Sequence, residues 1–446
     1  MKKVLVALLC GVMILGLVAC NAQPNSSGPN GKESQGTEHE ATEAESGEES
    51  TESTSEEEPV AISPEKVESD EPLELPSYCT DEFATALVDF TIASGYEQQN
   101  FMISPTSLRA ALCLAIAGAD SNTKDELLKA ASFETQEDAE AWYAMLLDSE
   151  KEFAETMKEL ESDDAAFSLA NAIWANRSMG VEFDDDYVKL VADKFDAEAN
   201  VSPSGTITDD INMWCNEKTN GMITHIVDNV ESAPNVLLNA LYLKSAWTQA
   251  FDKGQTEERF FTTYDEQGIK MDFIGKTEDM LYYHDDDTTI AVLQLYGDKQ
   301  FVVVMGDRAN LSEKLDKLES KKVHFMMPKF EMESKFEAMT LMTFLQLRGV
   351  NDAINWQTAD FSKMNSDISL YIHDIIQKDK ITVDEEGLEA AAVTALIMKT
   401  SSLDMDEDEP VEFIADHPFS YYIYSGLGTD HEEMLFYGQL VDKLAE

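Results

Sequence analysis

Helix-starting signals crowd the first half of this 446-residue chain and strand-length apolar runs crowd the second, an order that excludes most architectures. A doubly wound or barrel fold needs strands and helices in regular alternation; here the elements are segregated, which implies an α+β fold. Thr80 is placed to cap a helix whose apolar face is Phe83, Leu87 and Phe90. Ser104-Pro105 pairs a capping residue with the favoured first-turn proline, and Leu108, Leu112 and Ile116 follow at helical spacing until Gly118. Thr123-Lys124-Asp125-Glu126 has the form of a capping box, and Ile211, Trp214 and Lys218 lie on a helix ending at Asn220-Gly221.

Residues 235–243, "NVLLNALYL", read as a buried strand. Runs 289–296 and 300–305 flank Gly297-Asp298 and predict a hairpin. Runs 322–330, 369–378, 420–424 and 434–441 also read as strands. No internal repeat and no Gly-rich or Pro-rich linker interrupts residues 77–446, so one domain is expected, longer than a single core usually supports.

The ends of the chain differ in composition. Lys2 and Lys3 precede an apolar run that closes on Leu17-Val18-Ala19-Cys20. This resembles the bacterial lipobox, so residues 1–20 are expected to be a lipoprotein signal peptide, with Cys20 lipidated and the membrane as a partner at the bacterial cell surface. Residues 21–76 are Ser, Thr, Glu and Gly with almost no large apolar side chain, a composition expected to stay disordered as an acidic tether reaching roughly 40 Å. With 87 acidic and 32 basic residues the formal charge is −55, which argues against nucleic acid and favours basic partners. Cys79, Cys113 and Cys215 cannot complete a disulfide framework and lack metal-ligand spacing, so buried thiols are expected and zinc is not.

Catalytic constellations are missing. There is no GxSxG elbow, HExxH pair, Walker loop or Rossmann glycine pattern. His324 and His373 each sit in an apolar strand pattern, where a hydrogen-bonded core histidine is the expected role. Asp285-Asp286-Asp287 and the acidic tract 404–409 lack the alternating spacing and turn glycine of a calcium loop, and read as solvated charge. The expectation is a chain that is not an enzyme and carries no metal or cofactor.

One stretch resists this reading: residues 384–400, "DEEGLEAAAVTALIMKT", apolar and alanine-rich between acidic flanks. As a helix it has good propensity but a mediocre stripe. As a strand it has one uncharged face, Leu388, Ala390, Ala392, Thr394, Leu396 and Met398. Periodicity does not decide between them.

Eight fragments in register resemble the serpin family. "VDEEGLEAAAVTA" resembles the serpin hinge, usually Glu-Glu-Gly-Thr-Glu-Ala-Ala-Ala-Ala-Thr. Asn100, Ser104, Pro105 and Ser107 in "NFMISPTSL" match an early signature, and Ile211, Asn212, Trp214, Thr219, Asn220, Gly221 and Ile223 in "INMWCNEKTNGMI" a helix end. Asn239, Trp247 and Phe251 in "LLNALYLKSAWTQAFD" match the strand of the sheet-opening tryptophan. "MPKFEMES", "ADFSKM", "ADHPF" and "LFYGQLV" follow in the expected order.

The resemblance implies a fold of three sheets and about nine helices with an exposed reactive-centre loop. It implies irreversible, suicide-substrate inhibition of an extracellular serine protease by a monomeric protein: the loop is cleaved, an acyl-enzyme forms, and the loop inserts into the central sheet. The implied hinge is Glu385, Glu386, Gly387, Leu388, Glu389, Ala390, Ala391, Ala392, Val393 and Thr394, with Gly387 as flexible pivot. The sheet-opening region holds Trp247 and Asn239. Family spacing puts the reactive bond at Ser401-Ser402, with Lys399-Thr400 and Thr400-Ser401 as alternatives. Ser or Thr at the cut suits elastase-like or subtilisin-like enzymes, and Lys399 a trypsin-like one. Leu388 departs from the usual Thr; a bulkier first entrant implies slower insertion, or a non-inhibitory binding protein with this fold. The acidic tract reads as a solvated flank or as a steering patch for a basic protease.

Overall fold

The computed structural model describes residues 82–161, 165–203, 205–336, 338–388 and 409–444. Its first half carries α1 (Glu82–Thr91), β1 (Phe101–Ile103), α2 (Pro105–Gly118), α3 (Ser121–Ala130), α4 (Gln136–Glu159), β2 (Ala166–Asn176), α5 (Asp185–Phe195), β3 (Glu198–Ser202) and α6 (Ile207–Lys218). Then come β4 (Asn235–Ala246), β5 (Glu257–Thr262), β6 (Gly268–His284), β7 (Thr288–Leu295), β8 (Lys299–Gly306), α7 (Leu311–Leu315), β9 (Glu319–Pro328), β10 (Phe330–Phe336) and α8 (Ala338–Leu347). The chain closes with β11 (Ile375–Val383), β12 (Gly387–Leu388), β13 (Val411–Ile414), β14 (Phe419–Ser425) and β15 (Glu433–Leu440).

The strands form two sheets among the described residues. One has six strands in the order β10-β11-β12-β4-β2-β3; the other has nine, β1-β15-β14-β8-β7-β6-β9-β13 with β5 on β6. The count of two differs from the implied three because β6 is long enough to serve two neighbourhoods. Its Phe273–Tyr282 stretch pairs with β9 and its Leu281–His284 end pairs with β7, so hydrogen bonds run continuously through both. Eight α-helices stand among the described residues. The main core includes inward faces of both sheets, with Phe301 stacked on Tyr421 at 5.3 Å and Phe325 on Phe413 at 5.1 Å.

Several elements form as their sequence dictates. Ser104 caps α2 in extended backbone, accepting the Ser107 N–H at 3.1 Å, with Pro105 at the first turn. Every residue of α2 is buried, including Thr106, Ser107 and Arg109, whose guanidinium Nε donates to the Ala131 carbonyl at 3.0 Å. The β7–β8 hairpin turns through Gly297 and Asp298, both at positive φ. Asn220 and Gly221 end α6 in the same left-handed region.

Others are decided by distant partners. The capping box expected at Thr123–Glu126 does not form. Asp120 caps α3 instead, while the buried Thr123 hydroxyl accepts the Asp360 N–H at 2.9 Å. Glu126 is drawn away to accept the Asn351 and Asp352 N–H groups at 2.8 and 2.7 Å. A reciprocal box opens α4 at Thr135 and Asp138. The run 322–330 is two strands, because Pro328 has no N–H to continue the ladder and Lys329 N–H turns to the Asp272 carbonyl at 2.9 Å. The run 369–378 is a strand only from Ile375; His373 precedes it, half-buried, with Nδ1 2.8 Å from the Asp374 carboxylate. Strand β2 has no two-residue period in its sequence, because near-uniform burial and alanine content erase the alternation.

Of the remaining expectations, Cys113 and Cys215 are buried free thiols, whereas Cys79 lies outside the described residues. His324 is half-buried, with Nδ1 3.1 Å from the Thr277 hydroxyl. Asp285 closes a turn by accepting the Asp287 and Thr288 N–H groups. No group of three His, Cys, Asp or Glu among the described residues is arranged to hold a metal.

Between Ile423 and Tyr424 the β14–β15 register slips, skipping Leu435, whose carbonyl accepts the buried Ser104 hydroxyl at 2.6 Å. Replacing Ser104 with alanine removes a helix cap and strands that carbonyl. Ser104→Ala is expected to destabilise the fold by about 2–4 kcal/mol in denaturant titration.

Candidate functional site

The six-stranded sheet is forked. Strands β4 and β11 run parallel and pair with each other at only three positions, Leu237 with Ile375, Leu238 with Ile376 and Asn239 with Gln377. Beyond that base their outer edges remain paired, β4 with β2 and β11 with β10. At the far end β12 stands between them, Leu388 opposite both Val383 and Ser245, and Gly387 opposite Ala246. The hinge therefore begins inside the sheet: Gly387 is buried and Leu388 is 1% exposed. The expectation that the loop starts wholly outside is corrected for these two residues.

Asp384 builds the turn that seats them. Its Oδ1 accepts the Glu386 N–H at 2.8 Å and the Gly387 N–H at 3.1 Å, while its own N–H reaches the Gly387 carbonyl at 3.1 Å. Trp247 clamps the turn from above β4: its indole N–H donates to the Asp384 carbonyl at 2.9 Å and its backbone N–H to the Glu386 carbonyl at 3.0 Å. The Phe251 N–H takes the Glu385 carbonyl at 2.8 Å. Edge-on rings of Phe251 and Phe301, at 5.9 and 5.6 Å, fix the indole.

Side chains of the turn are anchored too. The buried Glu385 carboxylate accepts from the Thr256 hydroxyl at 2.6 Å and lies 3.4 Å from Lys329 Nζ. Burial pushes its pKa up, but these partners outweigh it and hold the carboxyl below the usual range. Glu386 pairs with Lys253.

Gly387 is required by a contact beyond the pivot role that the resemblance implies. It has no positive φ; rather, a Cβ there would sit 2.3 Å from the Ser245 carbonyl oxygen and 2.6 Å from Ala246 Cα. Closeness to the β4 backbone by itself demands glycine here.

At the base of the fork a buried polar row crosses the sheet. Asn171 of β2 pairs with Asn239 of β4, which pairs with Gln377 of β11. Asn171 donates to Tyr143 of α4 at 2.9 Å, Asn239 accepts from Ser107 of α2 at 2.8 Å, and Gln377 donates to the Ser104 carbonyl at 2.8 Å. Asn239 Nδ2 and Gln377 Oε1, on directly paired residues, have no protein partner among the described residues. Trp247 and Asn239 thus mark opposite ends of one slot.

Residues 79–443 match the family model described as Serpin (serine protease inhibitor). The chain belongs to the serpins. Iripin-3 of Ixodes ricinus is 30% identical, with 77% of this chain and 88% of that protein aligned. Serpin-Z10 of Arabidopsis thaliana is 27% identical over 79% and 93%. The native thermophilic serpin tengpin superposes with a TM-score of 0.64 at 23% identity, over 82% of this chain and 95% of that one. Thyroxine-binding globulin in complex with thyroxine gives 0.65 at 18% identity, over 81% and 97%.

In serpin terms, Glu385, Glu386, Gly387 and Leu388 of the hinge come together with Trp247, and Asn239 lies at the slot's other end. Glu389, Ala390, Ala391, Ala392, Val393 and Thr394, the bond candidates Lys399, Thr400, Ser401 and Ser402, and Cys20 lie outside the described residues. Lys253, Thr256, Gln377 and Asp384 were not singled out from sequence. Of these, only Asp384 carries a local cue, an Asx-type residue opening a turn.

Because the obstacle to a Cβ at position 387 is backbone, side-chain repacking cannot relieve it. Gly387→Ala is expected to expel β12, raising hydrogen exchange at the Trp247 and Phe251 amides while leaving the β7–β8 hairpin protected.

Proposed function

We propose that this serpin is a suicide-substrate inhibitor of extracellular serine proteases, with elastase-like or subtilisin-like enzymes preferred. The observation that carries the reading is the fork: two strands with unpaired facing edges and the first two loop residues already between them. The protease serine attacks the Ser401 carbonyl, the Ser402 amine departs, and the Ser401 acyl-enzyme remains. The severed loop then continues from β12 down the slot, joining β4 and β11 before water reaches the ester. Lys399 makes a trypsin-like enzyme the second choice. Lipidation at Cys20 would hold the inhibitor at the bacterial cell surface on the acidic tether.

The register of β12 supports this course. Continued without a break, it sets Ala390 and Ala392 along the slot and brings Thr394 between Asn239 and Gln377. A threonine hydroxyl both accepts and donates, which suits the unpartnered Asn239 Nδ2 and Gln377 Oε1. Leu388 is already buried, so its bulk is not an obstacle at the moment of cleavage; residues from 389 onward set the pace.

Mixing the protein with elastase, subtilisin and trypsin should give an adduct stable to denaturing electrophoresis with at least one of the first two. Mass spectrometry of the denatured mixture should find a C-terminal fragment beginning at Ser402, since β13, β14 and β15 keep that fragment in the folded molecule. Cleavage without an adduct would favour the non-inhibitory binding protein, and peptide hydrolysis without added protease an unrecognised hydrolase. Thr394→Val, isosteric but unable to complete the polar row, is expected to divert several-fold more inhibitor into cleaved, uncomplexed product.

A further inference from the structure

Two residues above the last β4–β11 pair, where the fork opens, β11 carries an acid on its inward face. Asp379 is 1% exposed, and its Oδ2 has no protein partner among the described residues. Its Oδ1 is 3.4 Å from the Gln377 side-chain amide, and the Ser104 backbone N–H faces the carboxyl from the start of α2. Ser334 of β10 stands opposite it in register, with its hydroxyl accepting the Met102 N–H of β1 at 2.8 Å. From β14 Tyr421 feels the Asp379 charge, and its hydroxyl lies 3.7 Å from Met332 Sδ. Behind it Tyr437 of β15 is bonded by Arg308. Lys378 and Lys380, the neighbours on β11, extend on the other face to Glu333 and Glu331 at 2.8 Å each. From β4 the inward residues near the fork are Asn239, Leu241 and Leu243, none of them charged. Among the described residues the carboxyl therefore has no cation within ion-pair range, and it is buried in the closed sheet.

We propose that Asp379 is a proton-operated wedge: protonated, it lets the fork stay shut on an apolar core, and ionised, it drives β4 and β11 apart. The readiness of the sheet to admit a strand then rises with pH. This concerns the fork alone and holds whether or not a protease is the partner.

Burial pushes the closed-state pKa up to about 8, against smaller lowering effects from Gln377 and the Ser104 N–H. In the opened fork, water reaches the group and its pKa returns toward the ordinary carboxyl value. A group with a raised closed-state pKa contributes to closure fully below its open-state value, and that contribution is lost as pH rises through about 8. Across the interval between the two values, the opening equilibrium increases about tenfold per pH unit.

Hydrogen exchange of the amides at 237–239 and 375–377, which report the closing pairs, tests this on the full chain between about pH 5.5 and 7.5. Rates are divided by the intrinsic chemical rate at each pH. Protection in the unmodified protein is expected to fall about tenfold per pH unit, and in Asp379→Asn to stay level. Amides of the β8–β14 ladder serve as the control and should not follow the same slope. Equal slopes in protein and variant would overturn the proposal, as would a level profile in the unmodified protein. Asp379→Ala replaces the asparagine variant if that does not fold. If neither folds, a slope confined to the fork supports the wedge, and one shared with the β8–β14 ladder overturns it.

Discussion

Three backbone pairs between Leu237–Asn239 and Ile375–Gln377 hold the two halves of the six-stranded sheet together, and much of the site follows from how few they are. A parallel pair so short contributes little beside the long ladders flanking it, β4 on β2 and β11 on β10. Strain from a wedge or a misplaced charge therefore concentrates at the fork rather than spreading through the fold. The far end is propped open by β12, whose turn is held by Asp384, Trp247 and the anchored Glu385 carboxylate. The slot thus already holds two residues between β4 and β11.

In the function we propose, stability is a matter of barriers. Two seated residues leave the facing edges of the slot short of a strand, and an added strand would satisfy backbone groups that now lack sheet partners. Placing polar side chains at the base of the slot costs stability in the closed form, since Asn239, Gln377 and Asp379 each keep one atom without a protein partner among the described residues. In the inhibitory course we propose, that cost falls on the state the molecule leaves. Belonging to the serpins gives the arrangement its context, and inhibition through the slot is the function we propose for it.

Much of the fold was legible in the residues. Ser104-Pro105, Gly297-Asp298 and Asn220-Gly221 act through neighbours within a few positions, so their helix start, hairpin and helix end could be read directly. Thr123–Glu126 misled because Asp360, Asn351 and Asp352, more than 220 positions away, compete for the same side chains. Strand β2 escaped because burial on both faces removes the two-residue period. The hinge was recognised by resemblance to a motif, since local propensity left helix and strand equally open for it.

The sequence by itself determined the segregation of helices and strands, the acidic charge and the alternation that leaves one face of residues 388–398 free of charge. Those properties depend on residue type and near spacing. Only the tertiary structure decided that Gly387 and Leu388 are already in the sheet, that glycine is needed there to clear the Ser245 carbonyl, and that Lys253, Thr256 and Lys329 hold the turn. It alone set Asp379 beside the fork with Tyr421 and Ser104 around it. The physical reason is that these contacts join residues from 42 to more than 270 positions apart, whose meeting is fixed by sheet topology and registers that no local pattern encodes.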